Sequence, residues 1–255
     1  MKFQLREYQK EAINSIINHI NNKNNYLLVE AATGAGKSII IAELAKWINE
    51  NSNGKKALCI APSKELTEQN YQKYLSYGYP ASIFSASIGK KSLKHNVVFG
   101  TPISVANEIN KFGSQFDAVI IDEAHGITPT IKKIINSIKN KNKDLKIIGL
   151  TATPCRMNSG YIYKINEKNI LEECATEPFF EKLSYKITAE KLTDMGYLTP
   201  LIFDKDTNEM AFNEGQRNIV LRILTILKTD PLQLKKFIEE REEQEWNLNY
   251  WDNHC

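Results

Sequence analysis

The sequence predicts an α/β protein of three layers, with helices on both faces of a mostly parallel sheet and a short helical C-terminal tail. Two observations carry this prediction. Short apolar runs recur along the first 154 residues, each about as long as a buried strand. The longer segments between them place apolar residues at helical spacing, and strands that alternate with helices form parallel sheets.

The predicted strands all end in small or polar residues. They are 26–30 (YLLVE), 56–62 (KALCIAP), 96–102 (NVVFGTP), 116–125 (FDAVIIDEAH) and 145–154 (LKIIGLTATP). The clearest helical segments between them are 38–50, 64–77 and 130–140. Because ligands of such sheets bind at the carboxyl ends of the strands, the polar residues after each run are the candidates for chemistry.

The composition is that of an ordinary globular protein. Hydrophobic residues make up 42% and charged residues 25% of the 255 residues, which excludes a disordered chain. The net charge of +3 is small, so any contact with nucleic acid should come from a local face. Residues 1–13 lack the apolar core of a signal peptide, and no apolar run is long enough to cross a bilayer. We therefore expect a cytoplasmic protein with no membrane partner.

Residues 31–38 (AATGAGKS) have the spacing of the phosphate-binding loop GxxxxGK(S/T), except that Ala31 stands where the pattern has its first glycine. The segment follows a predicted strand and opens a predicted helix, as the motif requires. Gly34 and Gly36 let backbone N–H groups turn toward an anion. Lys37 would reach the β- and γ-phosphates, and the Ser38 hydroxyl would bind Mg²⁺. The predicted nucleotide-binding residues of this loop are Thr33, Gly34, Ala35, Gly36, Lys37 and Ser38.

The segment AVIIDEAH is an apolar strand that ends in two carboxylates, Asp122 and Glu123. Asp122 is placed to hold the Mg²⁺ ion that Ser38 also binds, and Glu123 is placed to orient or deprotonate the attacking water. His125 is close enough in sequence to sense the γ-phosphate through a hydrogen bond. Lys37, Asp122 and Glu123 are thus the predicted catalytic set, acting on a nucleoside triphosphate with Mg²⁺.

The order of these motifs resembles that of superfamily 2 helicases of the DEAD/DEAH type, in the first of their two RecA-like domains. The matching segments are LREYQKEAI, ATGAGKS, APSKELTEQN, GTP at 100–102, DEAH, and TAT at 151–153. Within that superfamily VVFGTPISVANEI, GYIY and GYLTP resemble the RadD-like DNA repair ATPases. The resemblance implies a RecA-like ATP-binding domain over 1–205 and a helical tail over 206–255, with helices at 214–228 and 232–246.

The resemblance also assigns roles to single residues. It implies that Gln9 reads the adenine with Arg6 nearby, and that Thr151 and Thr153 couple the nucleotide site to strand binding. The residues implied to lie near the nucleic-acid backbone are Ser63, Lys64, Thr101 and Pro102. For Ser63 and Lys64 the residues leave a second interpretation open, as the N-cap and first turn of the next helix.

The function implied is a nucleic-acid-dependent ATPase of helicase type that acts on DNA rather than RNA. The segment after residue 205 does not contain the QxxGRxGR pattern of the second RecA-like domain. Arginine fingers contribute about 10³–10⁵ in rate, so we expect slow hydrolysis unless a second chain supplies that domain. Two alternatives remain: a truncated or regulatory module that binds nucleotide and DNA without turnover, and the motor part of a restriction system.

Overall fold

The computed structural model describes residues 4–156, 160–172, 174 and 176–199. The helices are α1 (Glu7–Asn21), α2 (Lys37–Asn51), α3 (Lys64–Ser76), α4 (Pro102–Asn107), α5 (Pro129–Lys141) and α6 (Ala189–Asp194). The strands are β1 (Tyr26–Ala31), β2 (Lys56–Ile60), β3 (Ser82–Ser85), β4 (Lys90–Lys91), β5 (Val97–Gly100), β6 (Phe116–Asp122), β7 (Lys146–Thr151), β8 (Cys155–Arg156), β9 (Gly160–Tyr161), β10 (Tyr163–Ile165) and β11 (Phe180–Ile187). Chain contacts define a first compact unit, Met1–Thr188, which contains all of these strands, and a second that starts at Ala189.

Nine of the strands formed by the described residues make one sheet, in the order β10-β11-β1-β7-β6-β2-β5-β3-β4. Neighbouring strands are parallel throughout, except for the antiparallel pair β3 and β4 at one edge. β8 and β9 form a separate antiparallel pair. The sequence prediction of a mostly parallel α/β sheet is therefore confirmed.

The central strands are buried on both faces. α1, α2 and α3 pack against one face, and α4 and α5 contact each other next to the core of the opposite face. In α5 the buried isoleucines recur at helical spacing, at Ile131, Ile134, Ile135 and Ile138. β6 is buried along its whole length, as expected for a strand covered on both sides. This burial explains why the central strands read as continuous apolar runs in the sequence.

Four of the five predicted strands end earlier than the sequence suggested. Two of these are β2, which ends at Ile60, and β7, which ends at Thr151. β5 stops at Gly100 because Pro102 occupies the first turn of α4, where a fixed φ and a missing N–H are tolerated. β6 stops at Asp122 because Glu123 has a φ of +50° and a 3₁₀ turn, Ala124–Gly126, follows. The early ends of β5 and β6 bring polar residues to the carboxyl edge of the sheet.

No helix within the described ranges is long and apolar enough to span a membrane. The predicted tail helices at 214–228 and 232–246, and the predicted boundary at residue 205, lie outside the described residues.

Candidate phosphate-binding site

The loop between β1 and α2 turns sharply in front of the helix. Gly34 and Gly36 have φ values of +86° and +78°, which side chains other than glycine rarely adopt. Gly36 is the N-cap of α2, and a Cβ atom there would lie 2.7 Å from the Gln9 Nε2 atom. Helix α2 begins at this point and runs for 15 residues, so the positive end of its dipole lies at the loop. The geometry suits an anion close to the backbone.

Lys37 extends from the first turn of α2 across the ends of the strands. Its Nζ atom donates a hydrogen bond to the Ala31 carbonyl oxygen at 3.3 Å and lies 3.8 Å from the Glu123 Oε1 atom. Only 12% of the Lys37 side chain is exposed, so the ammonium is held at this position. Ser38 follows it on the first turn and is half-buried. Thr33 and Gly34 are exposed, whereas Ala35 is buried.

Asp122 is the last residue of β6 and is 7% exposed. Its Oδ1 atom accepts a hydrogen bond from the Glu123 N–H at 3.0 Å, and its Oδ2 atom accepts one from the Asn70 Nδ2 atom at 2.8 Å. Burial raises the pKa of the Asp122 carboxyl, and the Asn70 hydrogen bond opposes that rise. A bound cation would also favour the charged carboxylate.

The residues around Asp122 suit a Mg²⁺ ion that is held together with substrate phosphates, rather than a metal ion held by protein side chains alone. Within the described residues no group of three or more His, Cys, Asp or Glu side chains is placed to hold a metal ion. Mg²⁺ usually keeps several waters and is held by one or two carboxylates together with substrate phosphates. One buried carboxylate, Asp122, and one hydroxyl, Ser38, are consistent with that pattern.

Glu123 contacts Lys37 of the phosphate-binding loop and His125 of the 3₁₀ turn that follows β6. Besides the 3.8 Å contact with Lys37, its Oε2 atom lies 3.4 Å from the His125 Nδ1 atom. The same His125 nitrogen lies 2.9 Å from the Thr151 Oγ1 atom at the end of β7. Thr151 is fully buried and hydrogen-bonds to the backbone of Thr153 at 3.1 and 3.2 Å. Side chains predicted to be catalytic and coupling residues therefore form one continuous chain of contacts.

The N-terminal segment packs against the glycine loop. Gln9 is 2% exposed; its Nε2 atom donates to the Ala35 carbonyl oxygen at 3.1 Å, and its Oε1 atom accepts from the Arg6 N–H at 3.0 Å. The Tyr8 hydroxyl also donates to the Ala35 oxygen, at 3.0 Å, and lies 3.2 Å from Arg6 Nη1. The structure thus places Arg6 and Gln9 beside the loop that is predicted to hold the phosphates.

The predicted nucleic-acid contacts begin two helices at the same edge of the sheet. Ser63 is the N-cap of α3 and its Oγ atom accepts from the Leu66 N–H at 3.2 Å, so the capping interpretation is confirmed. Lys64 is exposed, and Pro102 is half-buried on the first turn of α4. The Thr101 hydroxyl is 3.2 Å and 3.0 Å from two serine hydroxyls, those of Ser85 and Ser104.

Sequence reasoning missed two residues of the site, Asn70 and Tyr8. Asn70 lies 52 residues before Asp122, and nothing local in the sequence announces their contact. The signal that was present is a polar residue on the buried face of a predicted helix. Tyr8 stands next to Gln9 in a segment that the resemblance had already pointed to.

The glycine loop after β1, the carboxylates after β6 and the threonines after β7 define a class of protein. The class is the superfamily 2 helicases, and the described fold is their first RecA-like domain. More narrowly, the chain belongs to the family described as "Type III restriction enzyme, res subunit", whose model matches residues 2–156. A second family model, "Bbp19-like phage protein", matches residues 190–239.

Individual relatives agree with this class. The "ATP-dependent DNA helicase uvsW" of Enterobacteria phage T4 is 27% identical over 201 residues, which are 76% of this chain and 36% of the relative. The "Probable ATP-dependent RNA helicase MJ0669" of Methanocaldococcus jannaschii is 32% identical over 152 residues, which are 52% of this chain and 40% of the relative. This chain therefore covers well under half the length of either relative.

A solved structure shows the same fold. A nuclease-deletion mutant of the Type ISP restriction-modification enzyme LlaGI, in complex with a DNA substrate mimic, superposes with a TM-score of 0.55. The match has 20% sequence identity and covers 93% of this chain and 24% of that chain. At this identity the likeness concerns the fold alone.

Proposed function

We propose that this chain is the nucleotide-binding part of a nucleic-acid-dependent ATPase of helicase type, with DNA as its nucleic acid. The observation that carries the proposal is the contact chain from Lys37 through Glu123 and His125 to Thr151. It joins the phosphate loop, the catalytic carboxylate and the coupling threonine at one edge of the sheet, where α/β proteins bind their ligands.

Each side chain has a distinct task in ATP hydrolysis. Lys37 neutralises the phosphates, and Glu123 orients the attacking water and accepts its proton. Asp122 and Ser38 would hold Mg²⁺, which when bound neutralises charge on the phosphate oxygens. The adenine lies near Arg6 and Gln9 in this proposal.

The contact between Lys37 and Glu123 suggests how the site responds to nucleotide. A triphosphate carries more negative charge than one carboxylate, so it draws the Lys37 ammonium away from Glu123. Glu123 is then available to a water molecule and to His125, only 3.4 Å away. Through the His125 hydrogen bond to Thr151, the state of the phosphates is passed to β7 and to the nearby Thr153.

A second RecA-like domain, supplied by another chain, belongs to the same proposal. In it residues 1–205 form the ATP-binding domain and 206–255 a separate tail, and the RadD-like grouping and the cytoplasmic location stay predictions. Support for DNA comes from the T4 relative, named a DNA helicase, although the archaeal relative is named an RNA helicase. Membership in a restriction-enzyme family favours the motor of a restriction system as the second candidate.

Steady-state ATP hydrolysis by the purified chain tests the proposal, with single-stranded DNA, double-stranded DNA and RNA compared at fixed salt. We expect turnover to rise with DNA and to disappear in Lys37→Ala. Binding of Mg·ATP should weaken by about 10- to 100-fold in this variant, because a charge-assisted hydrogen bond contributes about 1.5–3 kcal/mol.

The matched control is Lys46→Ala, which removes a lysine of the same helix that pairs with Glu43 at 3.8 Å. It should bind Mg·ATP as the wild type does. Mg·ATP affinity that is unchanged in Lys37→Ala would contradict the phosphate-loop assignment. Saturable binding without turnover, even with DNA present, would mean that Lys37 holds a phosphate in a pocket that this chain cannot close by itself.

A further inference from the structure

Helix α3 presents one buried polar side chain to the nucleotide site. Its buried face consists of Thr67, Asn70 and Tyr74, with 0%, 4% and 1% of each residue exposed. The Thr67 hydroxyl donates to the Ser63 carbonyl oxygen at 2.8 Å, close to its own turn. Asn70 instead donates outside the helix, to the Asp122 Oδ2 atom.

This bond completes the hydrogen bonding of the Asp122 carboxylate. Asn70 Nδ2 lies 2.8 Å from Oδ2, while the Glu123 N–H lies 3.0 Å from Oδ1. The Glu123 bond comes from the adjacent residue of the same loop, whereas the Asn70 bond comes from a different layer of the fold. A buried carboxylate oxygen without its donor is unfavourable, so Asn70 fixes how the carboxylate is oriented.

The first turn of α3 lies where nucleic acid is predicted to bind. Ser63 caps the helix and Lys64 is exposed on its first turn. Asn70 follows Lys64 by six residues, about 9 Å along a helix axis. Because a packed helix moves as a rigid element, a shift of its first turn reaches the amide of Asn70.

We propose that Asn70 is a positioning residue that ties the Mg²⁺-binding carboxylate Asp122 to helix α3. Asn70 orients the Asp122 carboxylate for the metal. When nucleic acid binds at the first turn of α3 and shifts the helix, Asn70 shifts Asp122 with it, and the rate of ATP hydrolysis changes. The first part of this proposal, the orientation of Asp122 for Mg²⁺, depends only on the geometry of Asp122. The second part, the link to nucleic acid, rests on the proposed function.

The first measurement is a Mg²⁺ titration of the binding of a fluorescent ATP analogue to the full chain. Asn70→Leu and Asn70→Ala both remove the donor but leave different volumes, so a shared effect reports the lost hydrogen bond. Outer-shell partners of metal ligands contribute about 10- to 100-fold in metal affinity, and we expect the half-saturating Mg²⁺ concentration to rise by that factor. Binding of the analogue in EDTA should not change.

The matched control is Tyr74→Phe, one turn further along the same buried face. Among the described residues the Tyr74 hydroxyl is buried without a hydrogen-bond partner, so its removal breaks no bond. This variant should titrate with Mg²⁺ as the wild type does. If the leucine variant does not keep a wild-type thermal unfolding midpoint, the alanine variant decides the result. Mg²⁺ titrations of a folded Asn70 variant that match those of Tyr74→Phe overturn the proposal.

The second measurement is the ratio of ATP turnover with and without single-stranded DNA, at Mg²⁺ concentrations that saturate each variant. We expect this ratio to fall toward one in the Asn70 variants and to stay at its wild-type value in Tyr74→Phe. A wild-type ratio in the Asn70 variants overturns the link to nucleic acid. If the wild-type chain itself shows no stimulation, stimulation by DNA is not a property of this chain alone and the link to nucleic acid is overturned for it, whereas the binding titration still decides the role of Asn70 at the metal.

Discussion

At the scale of single residues, Glu123 has an uncommon backbone conformation for a residue of the site. Its φ of +50° is uncommon for a residue that is not glycine and costs about 1 kcal/mol or more. The conformation is held from both sides, because its N–H donates to Asp122 at 3.0 Å and its carbonyl oxygen accepts from Gly126 at 3.0 Å. The turn directs the carboxylate between Lys37 and His125.

Glu123→Gln should keep Mg·ATP binding and remove turnover. The amide has nearly the same size and keeps the turn, but it cannot accept a proton from water. General-base catalysis contributes about 10²–10⁴ in rate, so we expect a loss of that order in steady-state hydrolysis. Glu43→Gln, on α2 and paired with Lys46, is the control and should hydrolyse ATP normally. Turnover that survives in Glu123→Gln would show that another residue orients and deprotonates the attacking water.

The sequence predicted those site residues whose roles follow from spacing along the chain. Lys37 and Asp122 stand at fixed offsets from a strand end, so a motif finds them. The partner of Asp122 could not be found in this way, because Asn70 reaches it only after two βα units have packed side by side. The left-handed backbone of Glu123 was equally hidden, since nothing in its side chain requires it.

At the scale of elements, α1 is fastened at both of its ends. Near its start Tyr8 and Gln9 bind the Ala35 carbonyl oxygen of the glycine loop at 3.0 and 3.1 Å. In its second half the Ser15 hydroxyl donates to the Ser184 carbonyl oxygen of β11 at 2.6 Å, and near its end the His19 Nδ1 atom lies 3.0 Å from the Ser184 hydroxyl. Helix α1 therefore links the phosphate loop to the strand that lies beside β1 in the sheet.

The strands that sequence reasoning missed are either only partly buried or very short. β6 is buried throughout and reads as an apolar run. β11 is longer, Phe180–Ile187, yet Glu181 is exposed and Lys182 and Lys186 are half-buried, so no apolar run marks it. β3, β4 and β10 have two to four residues each, too few for a periodic pattern. Tertiary pairing, rather than local preference, makes these segments strands.

Two substitutions of Ser63, at the start of α3, separate its role as helix cap from its predicted role in binding nucleic acid. Ser63→Ala removes the N-cap hydrogen bond of 3.2 Å and should cost about 1 kcal/mol, which calorimetry would record as a lower unfolding midpoint. Ser63→Asp keeps a good cap but adds negative charge where phosphates are predicted. We expect wild-type stability together with weaker stimulation of ATP hydrolysis by DNA. Wild-type stimulation in Ser63→Asp would leave Ser63 with the capping role alone.

At the scale of the whole molecule, the predicted nucleotide site lies within one compact unit. Its predicted residues run from Arg6 to Thr153, and the first unit extends to Thr188. The "Type III restriction enzyme, res subunit" match stops at residue 156, and the "Bbp19-like phage protein" match starts at residue 190. The two matches do not overlap, so we expect nucleotide binding not to require the residues after 205.

A fragment of residues 1–205 should therefore fold and bind Mg·ATP as the full chain does. All strands of the nine-stranded sheet lie before residue 188, so the cut leaves the parallel core intact. We expect the dissociation constant of a fluorescent ATP analogue to change by no more than about threefold, or about 0.7 kcal/mol. The same fragment with Lys37→Ala is the control and should lose binding. A fragment that unfolds, or that binds much more weakly, would show that residues 206–255 belong to the ATP-binding domain.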